Sequence, residues 1–192
     1  MAITEIDART ALIVIDLQEG FRSFPGTVPP SVIFDRAAEL ARAFRRSGLP
    51  VVLVTVEPKE GATPPRTERT RALGVRPENF AEVVPELDPQ PGDLRIVKHG
   101  ANAFHQTGLD TKLRAAGVTQ VVVVGITTSV GVESTVRAAY ELGYNVTTPV
   151  DVMSDREAEL HTYSVARVFP RMGEVGAAAD VLARLGPREA AL

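Results

Sequence analysis

The chain has 192 residues, a length that suits one domain with a sizeable core. Its 24 acidic and 21 basic residues leave a net charge of −3, so no overall field draws it toward nucleic acid or an anionic membrane. The absence of cysteine excludes disulfides, thiolate metal sites and thiol catalysis, and the absence of Trp disfavours a platform for stacking single-stranded bases.

The opening "MAITEIDART" has neither the basic segment nor the apolar stretch of a secretory leader. No apolar run approaches the ~20 residues of a membrane span, and a cytoplasmic protein is the expectation. "ALIVID", Ala11–Asp16, is a continuous β-branched run typical of a strand covered on both faces. "SVIFDRAAELARAFRRSGLP", Ser31–Pro50, reads as a helix with Ser31 as N-cap. Its apolar face is Val32, Ala37, Leu40, Ala41 and Phe44, and Gly48 and Pro50 stop it. "VVLVTV", Val51–Val56, is a second buried strand.

From Glu57 to about Asp93 the chain is rich in Pro, Glu, Thr and Arg, long for a loop and expected to hold short helical pieces. "LRIVKH", Leu94–His99, is a third strand. A helix over Thr107–Gly117 ends at Gly117. "QVVVVGI", Gln120–Ile126, is a fourth strand, followed by a helix over Ser129–Leu142. Asn145–Val150 is a fifth strand. Helices over Asp155–Phe169 and Ala177–Gly186 complete the pattern, and residues 187–192 form a frayed tail. Strands alternate with helices throughout one domain spanning 1–192, with its core at about 10–185. The pattern predicts a three-layer α/β fold with a doubly wound, mostly parallel sheet.

In such a sheet, ligands sit outside the carboxyl ends of the strands. Asp16 ends the first strand, Lys98 the third, and Thr127, Thr128 and Ser129 follow the fourth. An acid, a base and a helix N-terminus then share one edge, and the helix end favours an anion or oxyanion. Plainer readings stand beside these. Asp16 can cap the turn "DLQEGF", Lys98 can be a surface lysine, and Gly131 can serve close helix–sheet packing. "GITTSVG" lacks the spacing of a nucleotide-binding loop. His99, His105 and His161 show no metal-ligand spacing, and no serine sits in a nucleophile elbow, so neither metal nor cofactor is expected.

Four blocks in order resemble the isochorismatase-like hydrolase superfamily: "ALIVIDLQEGF", "IVKHGANAFHQTGLDTKLRAAGV", "VVVVGITTSVGVESTVRAAYELGY" and "VTTPVDVMSD". The resemblance covers about Thr10 to Leu185 and implies a sheet of about six strands. Most members are cysteine hydrolases of amides, with an Asp, Lys and Cys triad. Matched motif by motif, the Asp falls on Asp16, the Lys on Lys98 and the Cys on Gly131. Gly125, Thr128, Val132 and Thr135 keep the surrounding pattern, and only the nucleophile is gone. Covalent acyl transfer needs such a nucleophile, and glycine supplies none.

The isochorismatases proper also have glycine there. They hydrolyse a vinyl ether and release pyruvate, using an acid to protonate carbon and water to trap the cation. The resemblance thus implies Asp16 as general acid and Lys98 as its partner. It also implies a cis peptide between Ile126 and Thr127, which aims the N–H groups of Thr127 and Gly131 into the pocket. Phe21 and Phe104 lie beyond two strand ends and are read as apolar walls or as core, and Thr128 as substrate-binding. The match to this branch is incomplete. "GITTSVG" replaces the usual Tyr and His by Thr127 and Ser129, and no residue among Arg66, Arg69, Arg71 and Arg76 stands out as the carboxylate binder. The expected partners are a small-molecule substrate and further copies of the chain as a homo-oligomer. A cysteine-less hydrolase of another substrate and an inactive ligand-binding member remain the alternatives.

Overall fold

The computed structural model describes residues 3–57 and 76–185. Among them are seven strands: β1 (Thr10–Ile15), β2 (Val51–Val56), β3 (Leu94–Lys98), β4 (Gln120–Ile126), β5 (Asn145–Pro149), β6 (Met153–Ser154) and β7 (Glu174–Gly176). The helices are α1 (Pro30–Arg46), α2 (Leu109–Ala115), α3 (Glu133–Glu141), α4 (Ala158–Tyr163) and α5 (Ala178–Arg184). All strand pairs are parallel, in the order β3-β2-β1-β4-β5-β7, with β6 paired to the end of β4.

Side chains alternate across the sheet and build two cores. Leu12, Val14, Leu53, Val122 and Val124 meet Ile33, Phe34, Leu40 and Phe44 of α1 and Val181 of α5 on one face. Ala11, Ile13, Val52, Val54, Val121 and Val123 meet Leu113 of α2 and Val136 and Ala139 of α3 on the other. Both faces of the central strands are therefore dry, which is why they read as unbroken apolar runs. Gly125 is needed for the tight β1–β4 pairing. Its φ is 128°, and a Cβ there would lie 2.1 Å from the Ile15 carbonyl oxygen.

Several boundaries differ from expectation. Ser31 is not the N-cap. Helix α1 begins at Pro30 after Pro29, with no side-chain cap, where the proline ring presets a helical φ and its missing N–H is one a helix start leaves unpaired anyway. Val32 is only half-buried, and Ile33, Phe34 and Ala38 take the inward positions. The helix expected from Ser129 starts as a π-turn over Thr128–Val132 and becomes α-helical at Glu133. The one expected over Asp155–Phe169 is α4 followed by a π-turn at Ser164–Val168. The fifth strand stops at Pro149. Within the long connection, Pro85–Leu87 forms a 3₁₀ turn. Arg66, Arg69, Arg71 and the 187–192 tail lie outside the described residues. No helix among those described is long and apolar enough to cross a membrane.

Candidate active site

Strand β1 connects away to β2 on one side, and β4 lies on its other side, so the sheet's topological switch falls between β1 and β4. Ile15 pairs with Gly125 at the top of that junction, and the two chains then diverge. Such a crevice is the default ligand site of an open α/β sheet. Asp16 leaves one side of it and the Ile126–Thr127 bond the other.

Asp16 adopts a left-handed conformation (φ 54°) and is 4% exposed. Lys98, at the end of β3, is 2% exposed and donates to Asp16 Oδ2 at 2.8 Å. Its stem spans β2 to do so, a lateral distance of roughly 9–10 Å between strand axes. The same ammonium donates to the Gly100 carbonyl at 2.9 Å. Lys98 is therefore a buried partner of Asp16 and not a surface lysine. Asp16 Oδ1 is buried and accepts no hydrogen bond among the described residues. Burial pushes the Asp16 carboxyl from 3.8 up to about 6, against the charge and hydrogen bond of Lys98, which pull it down.

Gly131 sits in the π-turn opposite. A Cβ built on it would lie 3.4 Å from Asp16 Oδ2 and 2.9 Å from Cγ2 of Ile15. The position is aimed at the acid, yet part of the space a side chain would need is filled by Ile15. The Ile126–Thr127 peptide is cis. The Thr135 hydroxyl donates to the Gly131 carbonyl at 2.7 Å and accepts from the Ala103 N–H at 3.1 Å, tying the turn to the loop after Lys98.

Asp16, Lys98, Gly131 and the Ile126–Thr127 bond thus meet at one place. Phe21 lies in a 3₁₀ turn just beyond Asp16, within 6.1 Å of Phe24 and 6.0 Å of Phe80, ring centre to ring centre. Arg76 lies over the Phe80 ring and Arg156 over the Phe24 ring, at 5.0 and 5.1 Å. Two expected binding residues have other partners. Phe104 stacks on Tyr144 and packs against the second core. Thr128 is fully buried, with its hydroxyl 2.8 Å from Nδ1 of His161 on α4.

Two supporting residues, Gln18 and Asp155, escaped the sequence reading, and a third, His161, was read there only as lacking metal-ligand spacing. Gln18 is fully buried and clamps two segments: its amide donates to the Val56 and Phe80 carbonyls, and its oxygen accepts from the Val56 N–H at 2.7 Å. Asp155 accepts the Ser129 N–H at 2.7 Å, holding the π-turn from the β6 side. His161 is satisfied by Thr128, and burial holds its imidazole below the usual range, against the opposing charge of Asp155. Only the "DLQ" run pointed to Gln18, and nothing in local pattern points to the other two. Among the described residues no group of three or more His, Asp or Glu is placed to hold a metal ion.

Comparison with known proteins shows the family and the fold. The isochorismatase domain family matches residues 10–180. The chain is 36% identical to the isochorismatase family protein YecD of Escherichia coli O157:H7, over 93% of this chain and 97% of that protein. It is 33% identical to the ureidoacrylate amidohydrolase RutB of Variovorax paradoxus, over 70% of this chain and 64% of that one. An isochorismatase family protein from Burkholderia thailandensis has the same fold, with a TM-score of 0.91 at 36% identity, covering 96% of this chain and 99% of the other.

Proposed function

The chain belongs to the isochorismatase family of hydrolases, and we propose that it uses carboxylic-acid rather than thiol chemistry, on a small anionic metabolite of the isochorismate vinyl ether type. The observation that carries this reading is Asp16. Burial raises its carboxyl to about 6, Lys98 holds Oδ2, which also faces the side-chain-free position 131, and Oδ1 has no hydrogen-bond partner among the described residues. A carboxyl so placed can carry a proton near neutral pH and deliver it in one direction.

The reaction then needs no covalent intermediate. Asp16 gives its proton to the terminal vinyl carbon, and the electron pair of the ether oxygen stabilises the resulting oxocarbenium ion. Water adds to that cation and returns a proton to Asp16. The hemiketal collapses to pyruvate, and the departing oxygen takes up the hydroxyl proton. Lys98 holds Asp16 in place and faces the carboxylate left after proton transfer. The N–H groups of Thr127 and Gly131 are the candidate donors to the departing oxygen as the hemiketal collapses. Arg76 and Arg156, flanking the Phe21, Phe24 and Phe80 rings, are the candidate cations for a substrate carboxylate.

The similarity to an amidohydrolase favours a second reading, in which ionised Asp16 activates water against another bond. The two divide on one experiment: pyruvate release from isochorismate by the purified protein, with Asp16→Asn as control. Release that falls about a hundredfold or more in the variant supports the acid role. A well-folded wild-type protein that releases none excludes the vinyl ether reading.

A further inference from the structure

Outside the site at the strand ends, a cleft of about 370 Å³ opens between α3 and the helical turns after α4, lined by Arg137, Tyr163, Arg167, Val168, Arg171 and Met172. Three arginines line it in a chain whose net charge is negative. Arg137 is partly neutralised, since it bonds Glu133 at 2.9 Å, and the other oxygen of Glu133 accepts from the Ser164 hydroxyl at 2.7 Å. The side chains of Arg167 and Arg171 make no ion pair among the described residues. They are exposed and four residues apart along one run of helical turns.

Like charges at that spacing repel, and among the described residues no ion pair compensates either of them. A cationic cluster of this kind, set around a concavity and not spread over a convex surface, suits an anion that takes several forked donors at once. Phosphate matches guanidinium geometry in that way. The cleft volume falls in the range of small-ligand pockets and leaves room for more than the phosphate alone. Val168 and Met172 supply an apolar floor, and Tyr163, 63% exposed, offers a free ring face at the rim.

We infer that this cleft binds a phosphate monoester of an aromatic or heterocyclic small molecule, with Arg167 and Arg171 on the phosphate and Tyr163 against the ring. The site shares no residue with the Asp16–Lys98 pair, so its occupancy is independent of the hydrolytic reaction. Calorimetric titration of the full chain with phenyl phosphate, at constant ionic strength balanced by chloride, tests it. Wild-type protein binds saturably. The double variant Arg167→Ala, Arg171→Ala binds about tenfold more weakly or worse, whereas Asp16→Asn binds as wild type does. Both arginines are exposed and unpaired, so the double variant keeps its fold, which its thermal transition checks. Inorganic phosphate binds more weakly than phenyl phosphate, and Tyr163→Ala removes that difference. Absence of saturable binding by wild type overturns the inference. So does binding that survives the double substitution, and so does binding lost in Asp16→Asn, which moves the anion to the strand-end site.

Discussion

Lys98 reaches across β2 to place its ammonium 2.8 Å from the Asp16 carboxylate, and both side chains are out of solvent. The pair is balanced between two opposed effects. Burial favours the neutral carboxyl, and the ammonium favours the ionised one. Burial wins, which makes Asp16 an acid that can be loaded near neutral pH.

That balance gives the pH dependence. If the protonated carboxyl is the reactive form, kcat/KM falls about tenfold per pH unit above about 6. A rate profile between pH 5 and 8.5 that is flat or rises contradicts an acid role. Stability follows the same group. Its folded value of about 6 lies above the unfolded 3.8, so its stabilising contribution is full below pH 3.8 and is lost as pH rises through 6. Wild-type protein should lose on the order of 3 kcal/mol from this group between pH 3.8 and pH 8, with most of the loss complete by pH 7. Denaturant titrations of wild type and Asp16→Asn across that range isolate the term, because the variant lacks it.

Lys98→Met keeps the stem and removes the charge. At pH 8 it leaves a buried carboxylate with no cation, at a cost of about 3–5 kcal/mol. At pH 5 the carboxyl protonates instead, and the cost is smaller. Equal losses at the two pH values, read from denaturant midpoints, mean that Lys98 contributes by packing alone.

Gly131→Ala directs a methyl group at Ile15, whose Cγ2 lies 2.9 Å from the new atom. The expected cost is about 1–3 kcal/mol. Ile15→Leu moves the branch off Cβ and clears that space, so the double variant should lose less than the sum of the two single changes. Additive losses in the thermodynamic cycle show that the turn relaxes by another route.

Gln18→Leu deprives the Val56 N–H and two carbonyls of their buried partner. A loss of about 2–4 kcal/mol is expected from orphaning them. Hydrogen exchange should quicken at Val56 and in the segment around Phe80. Exchange that stays slow at Val56 indicates that solvent or a neighbour replaces the clamp.

Much of this arrangement could be read from the sequence. The run at Gln120–Ile126 is apolar throughout, with both faces covered, and it coincides with β4 residue for residue. Asp16 ends such a run, Lys98 ends the half-exposed edge strand β3, and the matched motifs paired them before geometry did. What escaped is non-local or too short to show a period. Strands β6 and β7 have two and three residues, fewer than any alternation needs. The π-turn over Thr128–Val132 has the composition of a helix start, and Asp155 reaches Ser129 from 26 residues away. Ser31 looked like a cap because its chemistry is that of one, but Pro30 had already begun the helix.

The Lys98 ammonium has three protons, and Asp16 and the Gly100 carbonyl take two of them. With Asp16 protonated, the pair carries one positive charge; with Asp16 ionised, it carries none. An anion that enters the crevice therefore prefers the charged form and draws a proton onto Asp16 as it binds. The ligand helps to load the acid. The polarity of what binds is coupled to the readiness of the group that acts on it, and the pair can signal an occupied crevice through proton uptake alone.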